Sequence, residues 1–425
     1  MFGSLAPILV FEATATASFQ FVCVCLVSLF IAFCCIPSIH TPVRQLVRPT
    51  VIIFVENGLD WVVFLQQYKR PWLTKLFEQS SHSVSVGFYG SFLPCVIWLG
   101  FPELGWHLVV LMTLTLYVGN AMKDLVSAPR PLGVSYGKAR LSFLAKGSEE
   151  QNINAKEYGL PSSHTMNSLC LNFYAVHYLH EQKVIGDSIT VNLYALVSLW
   201  VIWIALSRVY LGFHTPVDIA AGAVAGLTVV TTFISLENMF NAWVIKAPIV
   251  VLLTAGVASL ILLRLHPKPL NPTPTFEFST SFMGVMFGVV IGVSRFPSFF
   301  QPAVSIYQIL DGSKLTVPVW FWILRRLFAG FTIVLASKEI SRAVTFALLP
   351  RFYIIFPLAL RKRWQPPVHN QCPKNKIVNP LLIGLPHTRH GLPWDVDVTS
   401  RFFAYAGIGF AVCEMAPRLF AALDW

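Results

Sequence analysis

Recurrent apolar runs, many of them close to the length of a helix that crosses a bilayer, limit this chain more than any other feature of its sequence. Of its 425 residues, 55% are hydrophobic and only 12% are charged, and the mean hydropathy is +0.63. Such values are typical of polytopic membrane proteins and exclude an ordinary soluble domain. We therefore predict an all-α membrane bundle of about nine to eleven transmembrane helices. The predicted spans are 17–36, 84–101, 104–122, 164–180, 189–206, 217–236, 244–263, 280–294 and 402–422, with a further pair within 318–360.

Polarity divides the chain into three predicted parts. Residues 1–83 combine a first membrane helix with a polar and amphipathic stretch, 37–83, which we place at the membrane interface because 51–67 mixes apolar and acidic residues at helical spacing. Residues 84–240 are predicted to form the functional core, and 241–425 a C-terminal transmembrane extension. The first apolar run lacks a basic flank and a convincing cleavage site, which favours a retained helix over a removed signal peptide.

Charge gives a prediction of topology. The net charge is +11 and the pI near 9.3, which favours basic loops beside anionic headgroups over nucleic-acid binding. The stretch 361–401 is basic, so the positive-inside rule places it in the cytoplasm. If 318–360 crosses the membrane twice, counting back places the loop 207–215 on the opposite, lumenal or exterior side.

One cluster of ionisable residues lies between two long apolar runs. Charged side chains beside hydrocarbon are costly and usually serve a site. Thr215 followed by Pro216 predicts an N-cap and a first helical position, so Asp218 falls in the first turn, where a carboxylate is favoured. His214 lies just outside that helix. A carboxylate one turn away can fix the tautomer of its imidazole, so the pattern predicts an activated histidine.

Two further polar groups lie at the ends of neighbouring predicted spans. Lys123 and Arg130 follow one span, and Pro161-Ser162-Ser163-His164 begins the next one. That next span forms a hairpin with the span that ends at Arg208. The three groups should therefore meet on one face of the membrane.

Their chemistry suits a tetrahedral oxyanion. Guanidinium groups bind two phosphate oxygens at once, and a lysine adds a compact positive charge. A helix that begins at Ser162 and Ser163 offers free backbone N–H groups and the positive end of its dipole. The sequence therefore predicts a phosphate-binding site.

Two histidines complete the set needed for cleavage of a phosphate ester. His214 can attack phosphorus while His164 protonates the leaving alkoxide. Asp124 and Asp218 are the only carboxylates beside the three groups, too few for a two-metal phosphatase. Most of the eight cysteines lie in apolar runs and indicate neither a zinc site nor a disulfide framework. We predict neither a metal nor a cofactor.

The three groups, in this order, resemble the three-part signature of the type 2 phosphatidic acid phosphatase superfamily, which includes lipid phosphate phosphatases and vanadium haloperoxidases. The segments 157–165 and 210–219 are similar to those of the sphingosine-1-phosphate (long-chain base 1-phosphate) phosphatases of the endoplasmic reticulum, in particular fungal and plant ones. Ser163 stands where the superfamily usually has glycine, which leaves open whether its hydroxyl or only its N–H contributes. The resemblance covers 104–236 and implies a six-helix catalytic core.

The resemblance also implies a role for each matched residue. The phosphate is held by Lys123, Arg130 and Arg208, with Ser162 and Ser163 as donors. The nucleophile that becomes phosphohistidine is His214, oriented by Asp218, and the acid for the leaving lipid hydroxyl is His164. Water then hydrolyses the phosphoenzyme.

The implied substrate is a sphingoid base 1-phosphate, whose tail stays in the bilayer of the endoplasmic reticulum. The motifs alone do not separate this substrate from a polyprenyl diphosphate, phosphatidic acid or a sugar phosphate. A further alternative is a lipid transporter or structural membrane protein in which the part after residue 236 does the work and the phosphate site is vestigial.

Overall fold

The secondary structure is helical throughout the part of the chain that the computed structural model describes, residues 6–34, 36–131, 157–271, 273–300, 319–355 and 396–423. The all-α prediction is confirmed. The helices are α1 Ala6–Cys34, α2 Pro37–Gln67, α3 Pro71–His82, α4 Val86–Trp98, α5 Pro102–Val126, α6 Ser163–Glu181, α7 Asp187–Tyr210, α8 Pro216–Lys246, α9 Pro248–Leu265, α10 Thr275–Arg295, α11 Val319–Ile355, α12 Val396–Phe410 and α13 Ala416–Ala422. A 3₁₀ turn covers Pro297–Phe300, and a π-helical turn, Ala411–Met415, joins α12 to α13.

Within the described ranges, six helices are long and apolar enough to cross a membrane: α5, α7, α8, α9, α10 and the Trp320–Leu349 part of α11. A seventh is obtained if Ala17–Phe33 and Ser38–Gln67, which meet at 118°, form one broken span. The chain is a multi-pass membrane protein. The described part thus holds fewer spans than the nine to eleven predicted, partly because α4, at 13 residues, is too short to cross the hydrocarbon.

The pair of spans predicted within 318–360 is wrong, because α11 runs without a break over 37 residues. The charged side chains that obscured the boundaries of the predicted pair lie along this single helix. Arg326 donates from Nη1 to the carbonyl oxygen of Trp98 at 2.7 Å, and its guanidinium carbon lies 4.1 Å from the centre of the Trp322 ring. The span count that placed the loop 207–215 in the lumen assumed two crossings here, so it no longer decides the side.

Helix α2 begins at Pro37, the first residue of the predicted amphipathic stretch, and includes two internal prolines. Two of its polar side chains donate hydrogen bonds to carbonyl oxygens at the ends of other helices. Such terminal carbonyls have no hydrogen-bond partner within their own helix. Arg44 donates to the carbonyl oxygens of Leu125 (2.8 Å) and Asp124 (2.9 Å) at the end of α5. Gln66 donates to the carbonyl oxygen of Tyr210 at the end of α7, at 3.1 Å. Helix α2 therefore holds two helix ends that border the site described below.

The chain forms two compact units, one of residues 1–90 and 114–243 and the other of 91–113 and 244–425. All the predicted site residues belong to the first unit. In the second, α10 and α12 approach so closely that a Cβ on Gly288 would lie 2.0 Å from the carbonyl oxygen of Ala406. Only glycine fits there. The predicted functional boundaries at 83 and 240 remain predictions.

The predicted loops lie largely outside the described residues. Of the loop 123–163, residues 123–126 are the end of α5, 127–131 and 157–162 are non-helical apart from a 3₁₀ residue at 131, and 132–156 are not described. Of the basic stretch 361–401, only 396–401 are described, and they begin α12.

Candidate active site

The predicted site residues come together where α5 and α7 end and α6 and α8 begin. Two contacts join the motifs and a third orders the last of them. Arg130 Nη1 lies 3.4 Å from His214 Nε2, the backbone N–H of Ser162 donates to the carbonyl oxygen of Asp218 at 3.0 Å, and the guanidinium of Arg208 lies against Phe213. The convergence predicted from the order of the spans is thus found in the first unit.

The carboxylate of Asp218 caps the start of α8. The carboxylate oxygen Oδ2 of Asp218 accepts hydrogen bonds from the backbone N–H of Thr215 (2.7 Å) and from its hydroxyl (3.1 Å). The helix begins at Pro216, as the sequence predicts. The same oxygen lies 3.6 Å from Nδ1 of His214, an ion-pair distance rather than a hydrogen bond. The cap therefore places Asp218 beside the imidazole.

The imidazole of His214 is buried, and its two nitrogens face groups of different charge. Nδ1 faces Asp218, and Nε2 faces the guanidinium of Arg130. Burial lowers the pKa of His214 well below its usual value, and the positive charges of Arg130 and Arg208 lower it further. The ring is therefore neutral near pH 7, the form in which Nε2 can act as a nucleophile.

Two arginines flank the ring of Phe213. The guanidinium carbon of Arg208 lies 3.9 Å from the ring centre, and that of Arg130 lies 5.8 Å from it. Gly212, with φ of 82°, allows the turn that brings this ring back over the end of α7. The backbone N–H of Phe213 then donates to the carbonyl oxygen of Arg208 at 3.0 Å. Both cations are held in place before any anion binds.

Arg130 and Lys123 are positioned by a residue that the sequence analysis gave no role. Arg130 donates from Nε to the carbonyl oxygen of Glu157 (3.0 Å) and from Nη1 to that of Phe213 (3.2 Å). Lys123 Nζ forms a buried ion pair with Oε2 of Glu157, and Nη2 of Arg130 lies 3.6 Å from the same oxygen. The available signal was weak, a carboxylate four positions before Pro161 in a stretch that contains other acidic residues.

The start of α6 supplies the remaining residues. Ser162 is the N-cap, and its hydroxyl accepts from the hydroxyl of Thr165 at 3.1 Å and from its backbone N–H at 3.5 Å. The hydroxyl oxygen of Ser163 is buried and has no hydrogen-bond partner among the described residues. Ser163 and His164 are half-buried, whereas Ser162, Arg208 and Asp218 are buried. The site is therefore most open beside His164.

A close contact between helices sets the position of this N-cap. A Cβ on Gly222 of α8 would lie 2.7 Å from the carbonyl oxygen of Ser162. We expect Gly222→Ala to push the serine turn away from His214 and to lower kcat/KM by about tenfold or more, since misplacement of about 1 Å can cost as much as 10²-fold. Phosphate release by the purified protein measures this effect. Gly186→Ala is the matched control, because a Cβ there meets no atom within 4 Å; equal losses in both variants would contradict the contact's role.

In the described residues, no three histidine, cysteine or acidic side chains come close enough together to hold a metal ion. The groups that do meet are three cations, two histidines and two serines, with Asp218 and Glu157 as the acidic partners. This arrangement can bind a tetrahedral oxyanion, attack it from Nε2 of one imidazole and protonate a leaving oxygen from the other.

Comparison with known proteins gives consistent matches. Residues 104–242 match the family described as the PAP2 superfamily. Lipid phosphate phosphatase delta of Arabidopsis thaliana is 31% identical over 402 residues, which cover 90% of each chain. A dihydrosphingosine 1-phosphate phosphatase of Schizosaccharomyces pombe is 26% identical over 91% of this chain and 92% of its own. Sphingosine-1-phosphate phosphatase 1 of Rattus norvegicus is 23% identical over 79% of this chain and 68% of its own.

Proposed function

The chain belongs to the PAP2 superfamily, in the branch of lipid phosphate phosphatases that includes the sphingoid base 1-phosphate phosphatases, and on that premise we propose that it dephosphorylates long-chain base 1-phosphates through a phosphohistidine on His214. It is a phosphoric monoester hydrolase. One observation carries the mechanism: the neutral, buried imidazole of His214 has Nδ1 beside Asp218 and Nε2 at 3.4 Å from Arg130 Nη1. The attacking nitrogen therefore faces a cation that binds phosphate.

In the first step, the lone pair of His214 Nε2 forms a bond to phosphorus. The bond between phosphorus and the lipid oxygen breaks, and His164, which takes up a proton when the anionic phosphate offsets the charge of the cations around it, gives that proton to the lipid oxygen. Lys123, Arg130 and Arg208 stabilise the negative charge on the three equatorial oxygens. Ser163 supports the same role, because its buried hydroxyl is without a partner in the described residues.

In the second step, water attacks the phosphohistidine. His164, now deprotonated, accepts a proton from the water, and the bond between phosphorus and Nε2 breaks. Inorganic phosphate leaves and His164 again carries its proton. The lipid alcohol and phosphate together account for the substrate and one water molecule.

The position of the site supports a lipid substrate. The phosphate site lies at the ends of α5, α7 and α8, three of the helices long and apolar enough to cross the membrane. A lipid can therefore leave its tail in the bilayer while its headgroup enters among the cations. The names of the relatives favour a sphingoid base 1-phosphate over a diacyl lipid phosphate as the substrate.

A panel of lipid phosphates tests the proposal. Purified protein without added metal is offered a long-chain base 1-phosphate, phosphatidic acid and a polyprenyl diphosphate, and released phosphate is measured. We expect the highest kcat/KM for the long-chain base 1-phosphate, no loss of activity in EDTA, and inhibition by vanadate, which occupies oxyanion sites. Loss of activity in EDTA would contradict the mechanism, and a preference for another lipid would contradict the substrate.

Residence in the endoplasmic reticulum is part of the same proposal, and the predicted lumenal side of the site, which the span count no longer supports, is tested directly. The resemblance to the sphingoid branch implies the organelle. A tag inserted within 132–156, between the motifs of Arg130 and Ser162, should be protected from protease in sealed microsomes and cleaved once detergent is added. Cleavage in sealed vesicles would show a cytoplasmic site.

A further inference from the structure

The carboxylate of Glu157 lies among the cations to which we assign the phosphate. It pairs with Lys123 and lies 3.6 Å from Nη2 of Arg130, and the residue is only 9% exposed. A carboxylate oxygen shared between a lysine and an arginine makes the same contacts as a phosphate oxygen. The carboxylate of Glu157 therefore takes the place on these two cations that suits a phosphate oxygen.

We propose that Glu157 competes with phosphate for Lys123 and Arg130. Its carboxylate holds the two cations when the site is empty, gives them up when a phosphate monoester binds, and takes them back as inorganic phosphate leaves. Glu157 is thus a positioning residue that sets how tightly phosphate is held. The inference rests on the proposed function, since it takes these cations to be the phosphate site.

Charge explains why a competing carboxylate is needed. Lys123, Arg130 and Arg208 are buried close together, and buried cations without counter-charge are strongly destabilising. The carboxylate of Asp218 caps α8 and faces His214 through Oδ2, and the described structure gives it no hydrogen bond to any of the three cations. Among the described residues, Glu157 supplies the carboxylate that pairs with both Lys123 and Arg130.

The main chain of Glu157 allows its side chain to move. Its carbonyl oxygen accepts from Arg130 Nε at 3.0 Å, and this contact is separate from the ion pair made by the carboxylate. The side chain can therefore leave Lys123 while Arg130 stays oriented. A glutamine at this position keeps both the main-chain contact and the side-chain volume.

The competition has a consequence for turnover. Three cations hold the product phosphate as well as the substrate, so release of phosphate can become the slow step. A carboxylate that recaptures two of the cations speeds that release. It also weakens the binding of every oxyanion, whether substrate, product or vanadate.

Glu157→Gln tests the inference. The affinity of the purified protein for inorganic phosphate and for vanadate is measured from the shift in its thermal unfolding temperature and from inhibition constants. Removing one neighbouring negative charge should raise the affinity for both anions by about tenfold or more. KM and kcat should fall together, because substrate binds more tightly and product leaves more slowly. Glu181→Gln, at the exposed far end of α6, is the matched control and should leave the affinity for phosphate unchanged.

Equal or weaker binding of phosphate by Glu157→Gln would overturn the inference and leave the carboxylate as a structural partner of Lys123. If that variant does not fold, Glu157→Asp, which keeps the charge but draws it back by one methylene, should still bind phosphate more tightly than the wild type; no tightening there overturns it equally. Wild-type protein that hydrolyses the lipid phosphate while the variants show no tightening refutes this inference alone. Wild-type protein that binds neither phosphate nor vanadate refutes the proposed function itself.

Discussion

His214→Ala should lower kcat by at least about 10³-fold with every lipid phosphate, because it removes the atom that attacks phosphorus. The imidazole is fixed between Asp218 at 3.6 Å and Arg130 at 3.4 Å, so no other side chain can take its place without moving that pair. The substrate should still bind, since Lys123 and Arg208 remain. Activity is measured as phosphate release under saturating substrate.

His180→Ala is the control for this variant. His180 lies at the far end of α6, where its Nδ1 is 3.1 Å from the hydroxyl of Thr190. We expect activity within about twofold of the wild type, because the lost contact is remote from the site and worth about 1 kcal/mol. A folded His214→Ala protein with more than a tenth of wild-type activity would remove His214 from the role of nucleophile.

Arg130→Lys is expected to lower kcat/KM by about 10²-fold or more although it keeps the positive charge. The guanidinium donates to the carbonyl oxygens of Glu157 and Phe213 and still faces His214 Nε2. A lysine cannot reproduce this planar set of donors, and the two buried carbonyls would lose their partner. The loss should fall mainly on kcat, since Arg130 contacts the group that attacks.

Arg342→Lys on α11 provides the matched control. Its side chain is half exposed and lies 4.0 Å from Glu339, an ion pair of small value in water. We expect activity within about twofold of the wild type. Activity of Arg130→Lys that is equally unaffected would show that charge alone, and not the fork of donors, is required at position 130.

The helical class and most helix positions follow from the sequence because apolar runs in a bilayer must satisfy their backbone hydrogen bonds internally. Helix α11 could not be predicted in the same way. The sequence predicted a pair of spans whose boundaries the arginines obscured, whereas in the fold Arg326 stacks on Trp322 and bonds to a carbonyl oxygen on another helix. Such contacts depend on tertiary neighbours that a hydropathy pattern does not contain.

Helix α2 shows a second limit of prediction from the sequence alone. Pro42 and Pro49 argue against a continuous helix, since each removes one backbone hydrogen bond. The side chains of Arg44 and Gln66 bind the ends of α5 and α7 and favour the helical backbone that places them there. Local propensity predicts the cost, but only the fold shows the contacts that outweigh it.

The meeting of the three motifs at one site was predictable, because motif order and helix hairpins place their residues on one face. The cap made by Thr215 and Asp218 was also readable, since its signals are local. Glu157 was not, because its role depends on Lys123, which lies 34 positions earlier in the chain. The assigned catalytic and phosphate-binding roles remain predictions until the variants are measured.

Rapid quenching with a long-chain base 1-phosphate labelled with ³²P tests the central claim most directly. We expect the wild-type protein to carry a label that survives alkali and is lost in acid, as a phosphoramidate bond does, and we expect no label on His214→Ala. The label should disappear at the rate at which phosphate is released. Turnover without any labelled protein, or a label that persists on His214→Ala, would contradict a phosphohistidine at His214.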